Sequence, residues 1–171
     1  PQRTTLNYRY MGKEYPEVTR NVFNISPRAQ IRWIFDEHTN LRRRYNGRTS
    51  QPSRTNLLDI LYDSNPLNIT RGNPNLKPSF SNNLSADFNT YNVEAQRGVW
   101  FYGSFSNTSN SISNKTTYNK ITGVRTTMPM NISGNWNTNA NIGFNTGIGK
   151  KKLFTAGVNI GGNYSQNVGF Y

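Results

Sequence analysis

The sequence predicts an all-β fold, an antiparallel meander of about 6–8 long strands that forms an open segment of a larger transmembrane β-barrel. Three observations lead there: stretches of strict apolar–polar alternation, connections that alternate between short and long, and a composition too polar for an ordinary core yet rich in aromatic rings. Only 33% of the 171 residues are hydrophobic and the mean hydropathy is -0.78, whereas 10 Tyr, 9 Phe and 3 Trp bring the aromatic share to 13%. Disordered chains are poor in aromatics, so these rings need an apolar environment other than a conventional interior. The polar remainder is dominated by 27 Asn, with charged residues at 16%. Small uncharged polar side chains suit strands wetted on one side.

Successive side chains of a strand point to opposite faces, and each alternating stretch is read on that basis. The first strand is expected near residues 20–35, where Ala29, Ile31, Trp33 and Phe35 oppose Arg28, Gln30 and Arg32. A second, near 41–49, sets Leu41 and Tyr45 against Arg42, Arg44 and Asn46, with Arg43 interrupting the apolar side. In the third, near 79–91, Phe80, Leu84, Ala86 and Phe88 face away from Ser81, Asn83, Ser85, Asp87 and Asn89. The fourth, near 98–108, opposes Val99, Phe101, Gly103 and Phe105 to Trp100, Tyr102, Ser104 and Ser106.

The fifth strand, near 125–146, carries the clearest signal. From Ile132 to Phe144 the even positions are Ile132, Gly134, Trp136, Thr138, Ala140, Ile142 and Phe144, while the odd ones from Asn131 to Asn145 are Asn131, Ser133, Asn135, Asn137, Asn139, Asn141, Gly143 and Asn145. The sixth, near 153–167, alternates Phe154, Ala156, Val158 and Ile160 with Thr155, Gly157, Asn159 and Gly161. About 9–11 residues of tilted strand cross a bilayer, and these stretches are of that order. The longest aromatic-aliphatic run is Val99, Trp100, Phe101 and Tyr102, far short of the roughly 20 apolar residues of a transmembrane helix.

Short polar connections are expected at 36–40, 92–97 and 147–152, long ones at 50–78 and 109–124, with another before Thr19. Short turns on one rim and long loops on the other are the habit of outer-membrane barrels, turns periplasmic and loops extracellular. Within 50–78, the spacing of Leu57, Leu58, Ile60 and Leu61 predicts about two turns of amphipathic helix. The run Gly72, Asn73, Pro74, Asn75, Leu76, Lys77, Pro78 predicts a rigid corner that bends a loop into a strand, since glycine permits positive φ, proline fixes φ, and asparagine closes local turns.

Charge and inventory narrow the function. Twenty basic and 8 acidic groups give +12, but all the acids lie at or before Glu94, and the last 77 residues hold 7 basic groups and no acid. The basic character is therefore partly an absence of Asp and Glu. The triplets Arg42, Arg43, Arg44 and Lys150, Lys151, Lys152 are read as solvated strand ends or turns; without a nucleic-acid-binding motif, no nucleic-acid partner is expected. Absence of cysteine removes disulfides and thiolate metal sites. His38, the only histidine, sits in a polar turn, and metal sites need several converging ligands. Gly147 to Lys151 is no phosphate loop, because Phe144 and Lys151 occupy the required Gly and Ser/Thr positions. Neither enzyme activity nor a cofactor is expected. Triplets such as Asn24-Ile25-Ser26 arise by chance in so Asn-rich a chain. Trp33, Phe35, Tyr45, Tyr91, Trp100, Tyr102, Trp136 and Tyr164 are candidates for interfacial girdles, with Trp100 and Tyr102 on the wetter face by parity.

Tyr45, Arg48, Thr49, Gln51, Pro52 and Ser53, then Leu57 and Leu58, then Gly72, Asn73, Pro74, Asn75, Leu76, Lys77 and Pro78 resemble the segment of TonB-dependent receptor barrels that ends in a GNPxLKP run before a long strand. The stretch from Met130 to Tyr164 is also similar to that family, with its NISGNW strand, basic turn and GVNIGGNYS return strand. The likeness covers most of the chain from Tyr45 onward, and the first forty residues share mainly the strand rhythm.

A complete receptor of this family has an N-terminal plug, a TonB-contact segment and a barrel of about 22 strands. Residues 1–171 are accordingly expected to be a partial barrel, lacking plug and contact segment and cut from a longer chain. The resemblance implies a Gram-negative outer-membrane location and uptake of a scarce nutrient such as a chelated metal, glycan or peptide. Expected partners are outer-membrane lipid, the transported ligand and, through the missing part, the TonB complex. Arg28, Arg32, Arg42 and Arg44 are expected to face the lumen, there to pair with plug acids or to favour an anionic cargo. The alternative reading is a soluble or surface β-sandwich acting as an adhesin or glycan-binding module, with the apolar residues packed between two sheets.

Overall fold

The computed structural model describes residues 2–6, 9–10, 13–14, 18–58, 61–62, 65–149 and 153–170. In chain order, β1 (Gln2–Leu6), β2 (Arg9–Tyr10), β3 (Lys13–Glu14) and β4 (Val18–Val22) precede the longer β5 (Arg28–Asp36) and β6 (Thr39–Ser50). One helical turn, α1 (Arg54–Leu57), is followed by the short β7 (Leu61–Tyr62) and β8 (Asn68–Arg71). Then come β9 (Ser79–Asn92), β10 (Arg97–Ser109), β11 (Ser111–Tyr118), β12 (Arg125–Ile132), β13 (Asn135–Ile148) and β14 (Phe154–Gln166).

Six of these make the main sheet, in the order β14-β13-β10-β9-β6-β5, with every neighbouring pair antiparallel. Among the described residues the outer edges of β5 and β14 have no partner in this sheet. This is the open antiparallel meander that the alternation predicts. An open edge leaves backbone donors and acceptors unpaired, so closure into a barrel requires more strands than these six.

Register carries the alternation across the sheet. One row reads Trp33, Leu41, Phe88, Phe101, Ile142, Ile160 from β5 to β14, and the row beside it on the opposite face reads Arg32, Arg42, Asp87, Tyr102, Asn141, Gly161. The apolar face is uncovered: Leu84 is 51% exposed, Ile142 49% and Ile160 68%. No second sheet packs over it among the described residues, as the β-sandwich alternative would require. On β14 this face runs Tyr164, Gly162, Ile160, Val158, Ala156, Phe154 without a charge. The ten residue-to-residue steps from Phe154 to Tyr164, at about 3.3 Å each and tilted by about 40°, span about 25 Å, the height of an outer-membrane apolar band.

The rims are sorted as expected. The turns after β5, β9 and β13 lie at one end of the sheet, where Tyr91 N–H donates to the His38 carbonyl (3.2 Å) and Gly147 N–H to that of Gln96 (2.8 Å). The long connections leave from the other end. They differ from the prediction in content. Residues 109–124 are not a loop: β11 and β12 extend the β10–β13 ladder in unchanged register, Thr108 facing Asn135 and Ser111 facing Ile132 three residues further along. The fifth predicted strand, 125–146, is thus two strands broken at Ser133 and Gly134, because Gly134 takes φ +114° while Asn110 opposite takes +53°. Ile132 consequently belongs to the rim and not to the apolar face of the main sheet.

The first predicted strand is likewise interrupted between β4 and β5, where Gly47 N–H donates to the Pro27 carbonyl. The expected two-turn helix is the single turn α1; Leu57 and Leu58 are buried, Leu61 is in β7, and Ile60 lies outside the described residues. Lys150, Lys151 and Lys152 also lie outside them.

Candidate functional site

Two features collect the residues singled out in the sequence: the rim corner and the polar face. At the corner, Ser53 caps α1, its Oγ accepting from Asn56 N–H, which satisfies a donor that the helix leaves unpaired. Gly72 lies under the Leu58 carbonyl, on ground that a β-carbon would occupy. Asn73 is the hub of the run. Its N–H donates to the Asn56 carbonyl (2.7 Å), its Oδ1 accepts from Asn75 N–H (3.0 Å), and its Nδ2 donates to the Pro129 carbonyl (2.9 Å). The turn at Pro74 and Asn75 drives Leu76 inward, where it is 0% exposed and packs with Leu57 and Ile112. Pro78 then leads directly into β9.

Sequence reasoning missed what the corner docks on. Asn131, read as one polar residue in an alternating strand, bonds Lys77 on both its N–H and its carbonyl. The two long connections meet again where β8 pairs with β12, the one parallel ladder of the described residues, and where Arg125 N–H donates to the Leu67 carbonyl (2.8 Å). With β7 and β11 they form a four-stranded rim sheet; the buried hydrophobic residues among those described are Leu57, Leu58 and Leu76, and Leu57 and Leu76 pack with Ile112 of β11.

On the polar face, Arg32 and Arg42 are direct cross-strand partners, and Arg28 and Arg44 stand on the same side one or two alternations away. Like charges directly opposite repel. Asp87, the cross-strand partner of Arg42 on β9, offsets the repulsion: one of its oxygens lies 2.9 Å from Arg44 Nη2 and 3.6 Å from Arg42 Nε. Arg42 Nε is buried and makes no hydrogen bond. Arg28 and Arg32 have no ion pair among the described residues. A hollow of about 750 Å³ opens here, and nine of its twelve lining residues belong to the polar face, including Arg28, Arg44, Asn83, Tyr102 and Ser106. The sheet is therefore hollowed on its polar side. All the charged side chains of this face come from β5, β6 and β9; between residues 98 and 108, 137 and 147, and 155 and 165 it carries only uncharged ones.

The aromatic candidates divide between the faces. Phe105, Trp136 and Tyr164 form a chain on the apolar face near the long rim, with ring centroids 6.1 Å and 5.2 Å apart, and Tyr45 lies in the same row, its hydroxyl donating to Asn82 Oδ1. Trp33 lies on the apolar face one row nearer the short-turn rim than Arg43, whose guanidinium sits 5.5 Å from its ring centroid. Trp100, Tyr102 and Tyr91 fall on the polar side, and Phe35 lies at a register shift in β5. His38 stays in its turn, and among the described residues no three His, Cys, Asp or Glu side chains converge as a metal site. No helix among the described residues is long and apolar enough to cross a membrane.

An exposed apolar band of bilayer height, a hollowed polar reverse side, and short turns opposite long excursions define the wall of a transmembrane β-barrel. The chain matches the Outer membrane protein beta-barrel family over residues 3–170, and belongs to it. No curated protein matches the chain. Membership places the protein in the outer membrane.

Proposed function

We propose that this chain is part of the barrel of a TonB-dependent receptor that takes up a scarce nutrient across the outer membrane of a Gram-negative bacterium. The observation that carries the reading is the corner from Gly72 to Pro78. The run that resembles these receptors stands immediately before the long strand β9, and its Asn73 and Leu76 do structural work there, bonding Pro129 and filling the rim core. The open edges of β5 and β14 agree with a parent barrel of many more strands. In that parent the hollowed polar face is the lumen wall. Arg28 and Arg32 then meet acidic side chains of a plug, which supplies the counter-charge that Asp87 gives to Arg42 and Arg44. The chain itself binds or passes ligand as wall, not as a catalyst.

The test is uptake by cells that carry the full-length gene, compared in backgrounds with and without a working TonB complex. Growth on a limiting nutrient that needs both the gene and TonB is the expected result. Uptake that persists at full rate without TonB would overturn the receptor reading while leaving the barrel intact.

A further inference from the structure

On β10 the alternation sends Val99, Phe101 and Phe105 to the apolar face, yet it also sends two aromatic rings to the wet one. Trp100 stands in a row with Asn40, Asn89 and, beyond Gly143, Asn159; no charged side chain belongs to this row. Its indole lies across Gly143, where a β-carbon would collide with Nε1 and Cε2 of the ring. Bare backbone thus supports one side of the indole, and Trp100 remains 38% exposed. Tyr102 is one alternation further along the same strand and face, about 7 Å away, and lines the hollow of the polar face.

We infer that Trp100 and Tyr102 form a stacking platform for consecutive sugar rings of a neutral oligosaccharide. The inference rests on reading the polar face as the lumen wall of a receptor. A pyranose has a face of C–H bonds and a rim of hydroxyls that both donate and accept. An indole backed by glycine matches the face, and side-chain amides, which also donate and accept, match the rim. Asn40, Asn89, Asn141 and Asn159 supply those amides beside the two rings. An anionic chelate or a phosphate would instead call for cations, which lie on β5 and β6 and are absent from the polar side of β10, β13 and β14. The wall is thereby divided: a cationic part suited to acidic polypeptide, and an amide-and-aromatic part suited to sugar.

The experiment uses the full-length protein purified in detergent and titrated calorimetrically with maltohexaose, cellohexaose and xylohexaose, without TonB. At least one should bind and change the tryptophan emission. Trp100→Ala should weaken that binding about tenfold and Trp100→Phe less, while Trp136→Phe on the apolar face leaves it unchanged. Gly143→Ala, which lifts the indole from its seat, should weaken it as well, with the melting temperature followed alongside.

Three outcomes would overturn the proposal: none of the three sugars binding at millimolar concentration, Trp100→Ala binding as the wild type does, or an indole at position 100 that resists N-bromosuccinimide in the ligand-free protein because polypeptide covers it. Because the titration needs no TonB, failure here is distinct from failure of TonB-dependent uptake.

Discussion

Asn131 and Lys77 hold each other in both directions across 54 residues of chain: Lys77 N–H donates to Asn131 Oδ1 at 2.7 Å, and Asn131 Nδ2 donates to the Lys77 carbonyl at 2.9 Å. The same Nδ2 also donates to the Asn110 carbonyl at 2.9 Å. An amide nitrogen has two hydrogens, so both are used. One side chain thereby joins the corner, the bend of the long hairpin and β12. Asn131→Ala should cost about 1–3 kcal/mol and speed hydrogen exchange at Lys77 and through the rim sheet, leaving β13 and β14 amides unchanged. A Lys77 amide as protected as before would contradict this clamp.

Ala140 and Asn139 are chain neighbours on opposite faces, Ala140 in a row with Gly103 and Gly162, Asn139 in a row with Ser104 and Asn163. Arginine at position 140 would sit mid-height on the lipid side, at a cost of roughly 2–4 kcal/mol, whereas arginine at 139 should be mild. Reversible urea unfolding of the full-length protein in lipid vesicles measures both. Equal costs at the two positions would refute the assignment of faces.

At Gly134 the backbone takes φ +114°, a conformation that L side chains rarely adopt, and a β-carbon there would lie 3.1 Å from Val168 Cγ2. Gly134→Ala should therefore destabilise by about 1–3 kcal/mol, with the loss concentrated where β12 meets β13. At Asn110 the φ of +53° is one that asparagine tolerates and glycine adopts freely, so Asn110→Gly should be nearly neutral. Thermal melts that rank the two the other way would show that the bend is set elsewhere.

Asp87 serves two arginines unequally. A double-mutant cycle of Arg44→Gln with Asp87→Asn should give a coupling of about 0.5–1 kcal/mol, and the cycle with Arg42→Gln a smaller one, because the contacts are 2.9 Å and 3.6 Å. Both couplings should shrink as salt is raised. A larger coupling at Arg42 would mean that its buried Nε, not the shorter Arg44 contact, governs the triad.

The strands of the main sheet were legible because the two-residue period is local: Phe101 or Asn139 declares its face through its nearest neighbours alone. The four arginines fall on one side for the same reason. The breaks were less legible. Alternation continues in the letters through Ser133 and Gly134, and only the φ at Gly134, matched by Asn110 on the other strand, turns the chain. Nor does periodicity announce a long-range pairing such as β8 with β12, since four residues, Asn68–Arg71, are too few to carry a pattern. Asp87 was visible as one polar residue among many; its place opposite Arg42 is a fact of register. The corner was legible as a corner, but its seat on Pro129 and Asn131 belongs to tertiary structure.

The unbroken register from the β10–β13 ladder into β11 and β12 constrains how this protein can diverge. Adding one residue to either strand below Asn110 would turn every side chain beyond it inside out, exchanging lipid contacts for water contacts. Length can change without that penalty only past the bend, at the exposed hairpin tip around Ile121. Related chains should accordingly share the membrane portion residue for residue and differ by insertions and deletions at that tip, so that the outermost surface, the part a host or a phage meets first, is the part free to be rewritten.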